Sequence, residues 1–223
     1  MTQLILTTVN IVSMLKEVAA DLESHSEELR QLDAAIGDGD LGVTIELGSK
    51  AIREYLASSD EHDIGQLLAK CGMCISKVIP STFGTLLASA FMGAGKVSMG
   101  EERIDIGDLG LIGDGAIDSV KRRGKAVVGD KTMLDCLVPA VEAFKRELAD
   151  GNDPKVALKA AATAAKAGME ATILMVAKHG RASWHGEKSV GVQDAGATAV
   201  YYMIESFVSH FSYRAGGETT QVP

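Results

Sequence analysis

Asp33, Asp38 and Asp40 fall in the stretch LDAAIGDGDLG, residues 32–42, interleaved with Gly37, Gly39 and Gly42. Carboxylates this close in sequence raise the cost of ionising one another. Glycines let the backbone bend tightly enough for the five- and two-residue spacings to bring all three side chains to one point. Two readings follow. The aspartates are separate turn and capping residues, a role for which Asp has a strong preference, or they converge on a cation. Magnesium suits convergence, because it takes oxygen ligands, keeps coordination sites for water or phosphate, and is commonly held by a few carboxylates plus a nucleotide's phosphates. An EF-hand calcium loop does not fit: counted from Asp38, its fifth position is Gly42 and its twelfth is Ser49, where an oxygen ligand and a glutamate are needed.

The remaining chemistry-bearing residues form weaker patterns. GAGKVS lacks the first glycine of a P-loop, with Ala90 in its place, and has Val97 where the serine or threonine belongs, so it reads as helix packing. Cys71 and Cys74 make a C-x-x-C on a predicted helix with no second pair to complete a zinc site, and read as small buried residues. The histidines show no ligand spacing, and no serine or cysteine sits in a nucleophile elbow. RRGKAVVGDKTM (122–133) and GRASWHGEKSVGVQDAG (180–196) resemble anion-binding loops, in which small residues expose N–H groups before a helix start. Lys131 and Arg181 within them read equally well as ordinary surface charges.

These residues must be positioned by helices. The 223-residue chain is 46% hydrophobic but only 4% aromatic, poor in the residues that strands prefer. Helical periodicity predicts a first helix from Thr7 or Thr8 through Leu32, ending at Gly37 and Gly39. Others follow at about Gly42–Ala57 and Asp63–Val78, then one carrying FGTLLASAFMGAG, one over Ile106–Arg123, and one over Leu134–Leu148 kinked at Pro139. Asp153 and Pro154 open a seventh helix of more than twenty strong formers that Gly180 stops, and Asp194 caps an eighth through His210. Pro80 interrupts the chain between the third and fourth. The expectation is an all-α fold, an eight-helix antiparallel bundle or barrel formed by one domain over 1–213, with a frayed tail over 214–223.

A net charge of −8 argues against nucleic acid or an anionic membrane as main partner. An odd number of cysteines, no signal-peptide pattern and no apolar run long enough to span a bilayer place the protein in the cytoplasm.

Taken together, LDAAIGDGDLG, RGKAVVGDKTM and GRASWHGEKSVGVQDAGATA resemble the nucleotide-binding L subunit of the dihydroxyacetone kinases, the DAK2-domain family, in family order and over about residues 8–210. The resemblance implies an eight-helix antiparallel barrel in which Asp33, Asp38 and Asp40 hold two magnesium ions on the phosphates of ADP or ATP. It also implies that the backbone from Leu41 through Gly42 and Val43 to Thr44, with Gly124, Met133, Arg181, Asp194 and Gly196, lies along the nucleotide. The acceptor, a small ketose, would be held by a separate K subunit, with a phosphotransferase-system phosphohistidine subunit as a possible recharger of bound ADP. Three positions depart from the family: Leu41 replaces a histidine, Ala195 replaces a proline, and SKVIPSTFGT is shorter than the usual glycine- and serine-rich phosphate loop. Ser81 and Thr82 are the hydroxyls left there. The departures motivate a second reading, a non-catalytic nucleotide-binding or regulatory paralogue.

Overall fold

The computed structural model describes residues 4–78 and 81–217. Its helices are α1 (Thr8–Ser24), α2 (Ser26–Ile36), α3 (Leu41–Ser58), α4 (Ile64–Val78), α5 (Thr82–Val97), α6 (Asp108–Gly124), α7 (Leu134–Ala149), α8 (Pro154–Ala171) and α9 (Ala195–Gly217), with 3-10 turns at Thr172–Leu174 and Arg181–Ser189. No helix among the described residues is long and apolar enough to cross a membrane.

The predicted first helix is two. Ser24, His25 and Ser26 are mediocre helix formers, and the Ser24 hydroxyl turns back to donate to the Asp21 carbonyl at 2.6 Å. A new helix start forms with Glu27 and Glu28 in its first turn, where acidic groups favour the positive end of the helix dipole. The break is held by tertiary contact: the His25 ring stacks on Tyr202 of α9 with centroids 3.8 Å apart.

Three further boundaries depart from expectation. The helix expected from Ile106 begins at Asp108, because Arg103–Asp105 (β2) pairs antiparallel with Ile5–Thr7 (β1), Leu6 opposite Ile104. The helix expected to run to Gly180 stops at Ala171, where the Thr172 hydroxyl donates to the Met169 carbonyl at 2.6 Å. At the other end α9 runs on to Gly217, past the expected limit at His210; residues 218–223 of the expected tail lie outside the described residues, as do Ile79 and Pro80. Pro139 sits inside α7, which continues through it.

Each helix packs on its neighbour in the order α1, α3, α4, α5, α6, α7, α8, α9, and α9 returns to α1, closing a ring, with α2 laid against α3 and α9. A large apolar core runs through the ring, and a smaller cluster of Leu22, Leu29, Leu41, Ile45, Ala195 and Ala199 lies beneath the aspartate bend. The GAG segment is indeed packing. A Cβ on Gly65 of α4 would stand 2.5 Å from the Gly95 carbonyl oxygen of α5, and one on Gly115 of α6 would stand 2.7 Å from that of Gly93.

Gly95→Ala is therefore expected to destabilise the fold by about 1–3 kcal/mol through overpacking. Gly48→Ala, inside α3 with no atom within 4 Å of the added methyl, should stabilise by up to about 1 kcal/mol from helix propensity. Denaturant unfolding of the two variants checks both signs.

Candidate functional site

The aspartate bend links the end of α2 to the start of α3. The Gly37 N–H donates to the Asp33 carbonyl at 2.5 Å, and Gly39 takes a left-handed φ of +73°. A Cβ on Gly37 would collide with the Asp33 carboxylate, so the bend closes only with glycine there. One carboxylate oxygen each from Asp33, Asp38 and Asp40 then lies within 4.8 Å of the other two.

Asp40 immediately precedes α3, yet its side chain makes no cap hydrogen bond, which sets aside the capping reading for that residue. Burial and then the neighbouring Asp33 charge raise its pKa. Asp33 Oδ2 accepts the Leu41 N–H at 3.2 Å, and the Arg181 guanidinium forms an ion pair with Asp38. Three hard oxygen donors converging beside a partly solvated cleft fit a magnesium ion that keeps sites for phosphate oxygens.

The cleft is about 220 Å³ and is lined by Asp33, Asp38, Asp40, Leu41, Ser81, Thr82, Met133, Arg181, Asp194 and Gly196, together with Phe83, Thr132 and His179. A second hollow of about 480 Å³ shares Ser81, Thr82, Met133 and His179 with it and extends to Arg123, Gly124 and Ala126. One groove thus runs from the acidic bend to Gly124. Gly42, Val43 and Thr44, whose backbone is expected along the nucleotide, are not among the residues lining it. Gly42 faces α2, where a Cβ would stand 2.5 Å from the Ser26 carbonyl oxygen. Val43 is exposed outside the groove, and Thr44 is buried, with its hydroxyl 3.0 Å from that of Ser81.

The residues lining the cleft include the first residues of α3, α5 and α9 and the residues just before α7. Four helices therefore begin at this end of the ring and bring the partial positive charge of their N-termini to it, while side chains already take the N–H groups of Leu41, Gly84, Leu134 and Ala197. Asp194 caps α9, accepting the Ala197 N–H at 2.7 Å, and burial pushes its pKa up to about 6 despite that bond and nearby Lys131.

The loop between α6 and α7 and the first turn of α7 hold what the sequence left undetected. Asp135, fully buried, accepts the Gly129 N–H at 2.5 Å and the Thr132 N–H at 2.7 Å. Asp130 accepts from Lys178 Nζ at 2.8 Å and the Val127 N–H at 2.9 Å, and lies 3.0 Å from His179 Nε2; the Lys178 bond foremost holds its pKa down at about 2. Lys131, which reads in the sequence as a surface charge or an anion ligand, is buried with its ammonium among backbone carbonyls. No local pattern marks it, since its partners come from beyond residue 170.

Comparison with known proteins gives a consistent result. The family model of the DAK2 domain matches residues 35–209. The chain is 36% identical over 201 residues to the ADP-binding subunit DhaL of the PEP-dependent dihydroxyacetone kinase of Escherichia coli (strain K12), covering 90% of this chain and 95% of that protein. It is 37% identical over 193 residues to the D-erythrulose kinase of Mycolicibacterium smegmatis, covering 83% of this chain and 32% of that longer protein. Among solved structures it superposes on the dihydroxyacetone kinase of C. freundii in complex with AMP-PNP and Mg2+ with a TM-score of 0.71 at 27% identity, over 92% of this chain and 34% of that one.

Asp194 generates a pH prediction. A carboxyl whose pKa is raised from 3.8 to about 6 on folding penalises the ionised folded state. Its contribution is most favourable below the unfolded value, falls as pH rises through this window, and is flat above it. Asp194→Asn keeps a good cap and removes the penalty. Metal-free protein carrying it should gain up to roughly 3 kcal/mol over the wild type above the window, taking about 1.4 kcal/mol per pKa unit, and converge with it below. Thermal unfolding against pH in the presence of a chelator checks this.

Proposed function

Since the chain belongs to the DAK2-domain family, that of the dihydroxyacetone kinase L subunits, we propose that it is the nucleotide- and magnesium-binding subunit of a kinase acting on dihydroxyacetone or a similar small ketose. The observation that carries this reading is the convergence of three carboxylates at the end of a groove onto which four helix N-termini open. The architecture proposed with it is an eight-helix antiparallel barrel, α1 and α2 counting as one bent member, in a single domain over residues 1–213 with a tail over 214–223.

In this reading ADP or ATP lies along the groove with its phosphates at the bend and its base toward Gly124 and Met133. Two magnesium ions held by Asp33, Asp38 and Asp40 would neutralise the phosphates, which is most of what phosphoryl transfer requires. The chain's own residues position and shield. The N-termini of α3, α5 and α9 would bring partial positive charge to the phosphates, Thr82 would offer a hydroxyl, and Arg181, released from Asp38 by competing cation and phosphate, would supply a positive charge beside the transferring group. No protein nucleophile is needed.

The acceptor must come from outside this groove, so a ketose-binding K subunit is proposed as partner. The similarity to PEP-dependent and PTS-dependent relatives supports a phosphohistidine subunit that recharges ADP in place, in the cytoplasm. The erythrulose kinase relative extends the candidate acceptors from three to four carbons. The shortened SKVIPSTFGT segment favours the second reading, a non-catalytic binding module.

Mg-ADP should raise the unfolding temperature, since a ligand confined to the folded state adds about 2.7 kcal/mol at a hundredfold excess over its Kd. An unchanged melt would sink the assignment. Asp38→Asn should abolish phosphoryl transfer with the cognate K subunit while leaving the metal-free fold intact or slightly more stable, because one repelling charge is gone. Assayed across three- and four-carbon ketoses, the wild type separates the readings: turnover identifies the kinase, whereas tight Mg-ADP binding without turnover of any ketose identifies the module.

A further inference from the structure

Two adjacent residues of the loop between α6 and α7 grip the entire stretch between α8 and α9. Lys131 is 2% exposed and takes a left-handed φ of +61°. Its ammonium donates among the carbonyls of Thr172 at 2.9 Å, Met175 at 3.2 Å, Ser189 at 2.7 Å and Val192 at 2.6 Å. An ammonium has three N–H bonds, so these carbonyls occupy it fully and leave nothing for a phosphate. The acceptors lie at both ends of the stretch, so one side chain ties its entry to its exit.

Asp130 grips the middle. Its carboxylate takes Lys178 and His179, and its carbonyl accepts the Lys178 N–H at 3.2 Å. Between these grips the stretch lays His179, Gly180 and Arg181 along the cleft, where Arg181 meets Asp38. Its own apolar contacts are few, with Leu174 and Trp184 81% and 83% exposed, and 3-10 turns provide its regular structure. Beyond bonds internal to the stretch and the Arg181–Asp38 pair, its place over the cleft therefore rests on Asp130 and Lys131.

We propose that Asp130 and Lys131 are positioning residues for the phosphate end of the site: they fix the strap of residues 172–192 so that Arg181 stands over the aspartate cluster. The proposal rests on the reading of the cleft as a Mg-nucleotide site. A lysine that merely stabilised the fold would lower affinity independently of Arg181, and the two losses would multiply. A lysine acting through Arg181 makes its loss redundant once Arg181 is gone.

The test is a double-mutant cycle on Mg-ADP affinity by titration calorimetry, using the full chain with wild type, Lys131→Met, Arg181→Ala and the double variant. Lys131→Met should weaken binding by roughly ten- to a hundredfold, the range seen when supporting partners of a metal site are removed, and the double variant should fall within about twofold of Arg181→Ala. Trp184 is the chain's single tryptophan and lies in the strap, so its fluorescence anisotropy in ligand-free protein should drop in Lys131→Met while the global melt remains cooperative. If Lys131→Met does not fold, Asp130→Asn, which loosens only the middle grip, enters the same cycle with the same expectation. Wild-type protein that does not bind Mg-ADP would overturn the cleft reading and this proposal together. Wild-type binding with multiplying losses, or with unchanged Trp184 anisotropy, would overturn the positioning role alone.

Discussion

Like charges forced together are the constraint around which this end of the molecule is arranged. Three carboxylates with oxygens within 4.8 Å of one another cannot all ionise cheaply unless something positive faces them. The Arg181 guanidinium faces Asp38, and the ring of helices adds to it through the backbone. Because α3, α5, α7 and α9 all begin at the cleft, each brings a partial positive charge of up to about half a unit. A chain of net charge −8 can in this way offer a locally attractive surface to a polyphosphate, with a divalent cation completing the neutralisation on the proposed reading.

That arrangement has to be held still, and two different devices hold it. Beneath the bend, Leu29 of α2, Leu41 and Ile45 of α3 and Ala195 and Ala199 of α9 pack as one apolar cluster, so the aspartates and the cap of α9 share a floor. Above the cleft little apolar surface is available, and the strap is held by charge-assisted bonds from Asp130 and Lys131 instead. A buried ammonium is costly unless its donors are satisfied, and backbone carbonyls satisfy it without introducing a second charge. The same bonds explain why α8 ends at Ala171 and not near Gly180: the Thr172 and Met175 carbonyls point to Lys131.

What was legible in the sequence was local. The glycine bend, the Asp153–Pro154 helix start and the close-packing GAG segment depend on residues within a turn or two of one another, and the structure has them where the pattern put them, whereas periodicity placed the helices but not all of their limits. What was not legible depends on partners far along the chain. His25 breaks a helix against Tyr202, Ile5–Thr7 becomes a strand only because Arg103–Asp105 pairs with it, and Lys131 meets residues from 172 to 192. The site divides in the same way. The aspartates were visible as a cluster, and Arg181 joined them only through the resemblance of its whole block to a family, since a lone arginine in a glycine-rich loop has no local mark of function.

The start of α5 offers the cleft few polar groups of its own. Ser81, one of the two hydroxyls left there, is buried and committed to the scaffold: it accepts the Gly84 N–H at 2.9 Å as the cap of α5 and lies 3.0 Å from the Thr44 hydroxyl of α3. Thr82 is exposed on the cleft, and the first N–H groups of α5 point the same way, as those of any helix start do. On the proposed reading, the phosphate cradle has thus contracted from a glycine-rich loop to one helix N-terminus and one hydroxyl. Fewer fixed donors then face the transferring group, and each preorganised donor lost from such a site is worth about 3 kcal/mol of transition-state stabilisation. Charge neutralisation must come more from the cation at Asp33, Asp38 and Asp40 and from Arg181, which makes the placement of the strap that carries that arginine more consequential here than in a relative with a full loop.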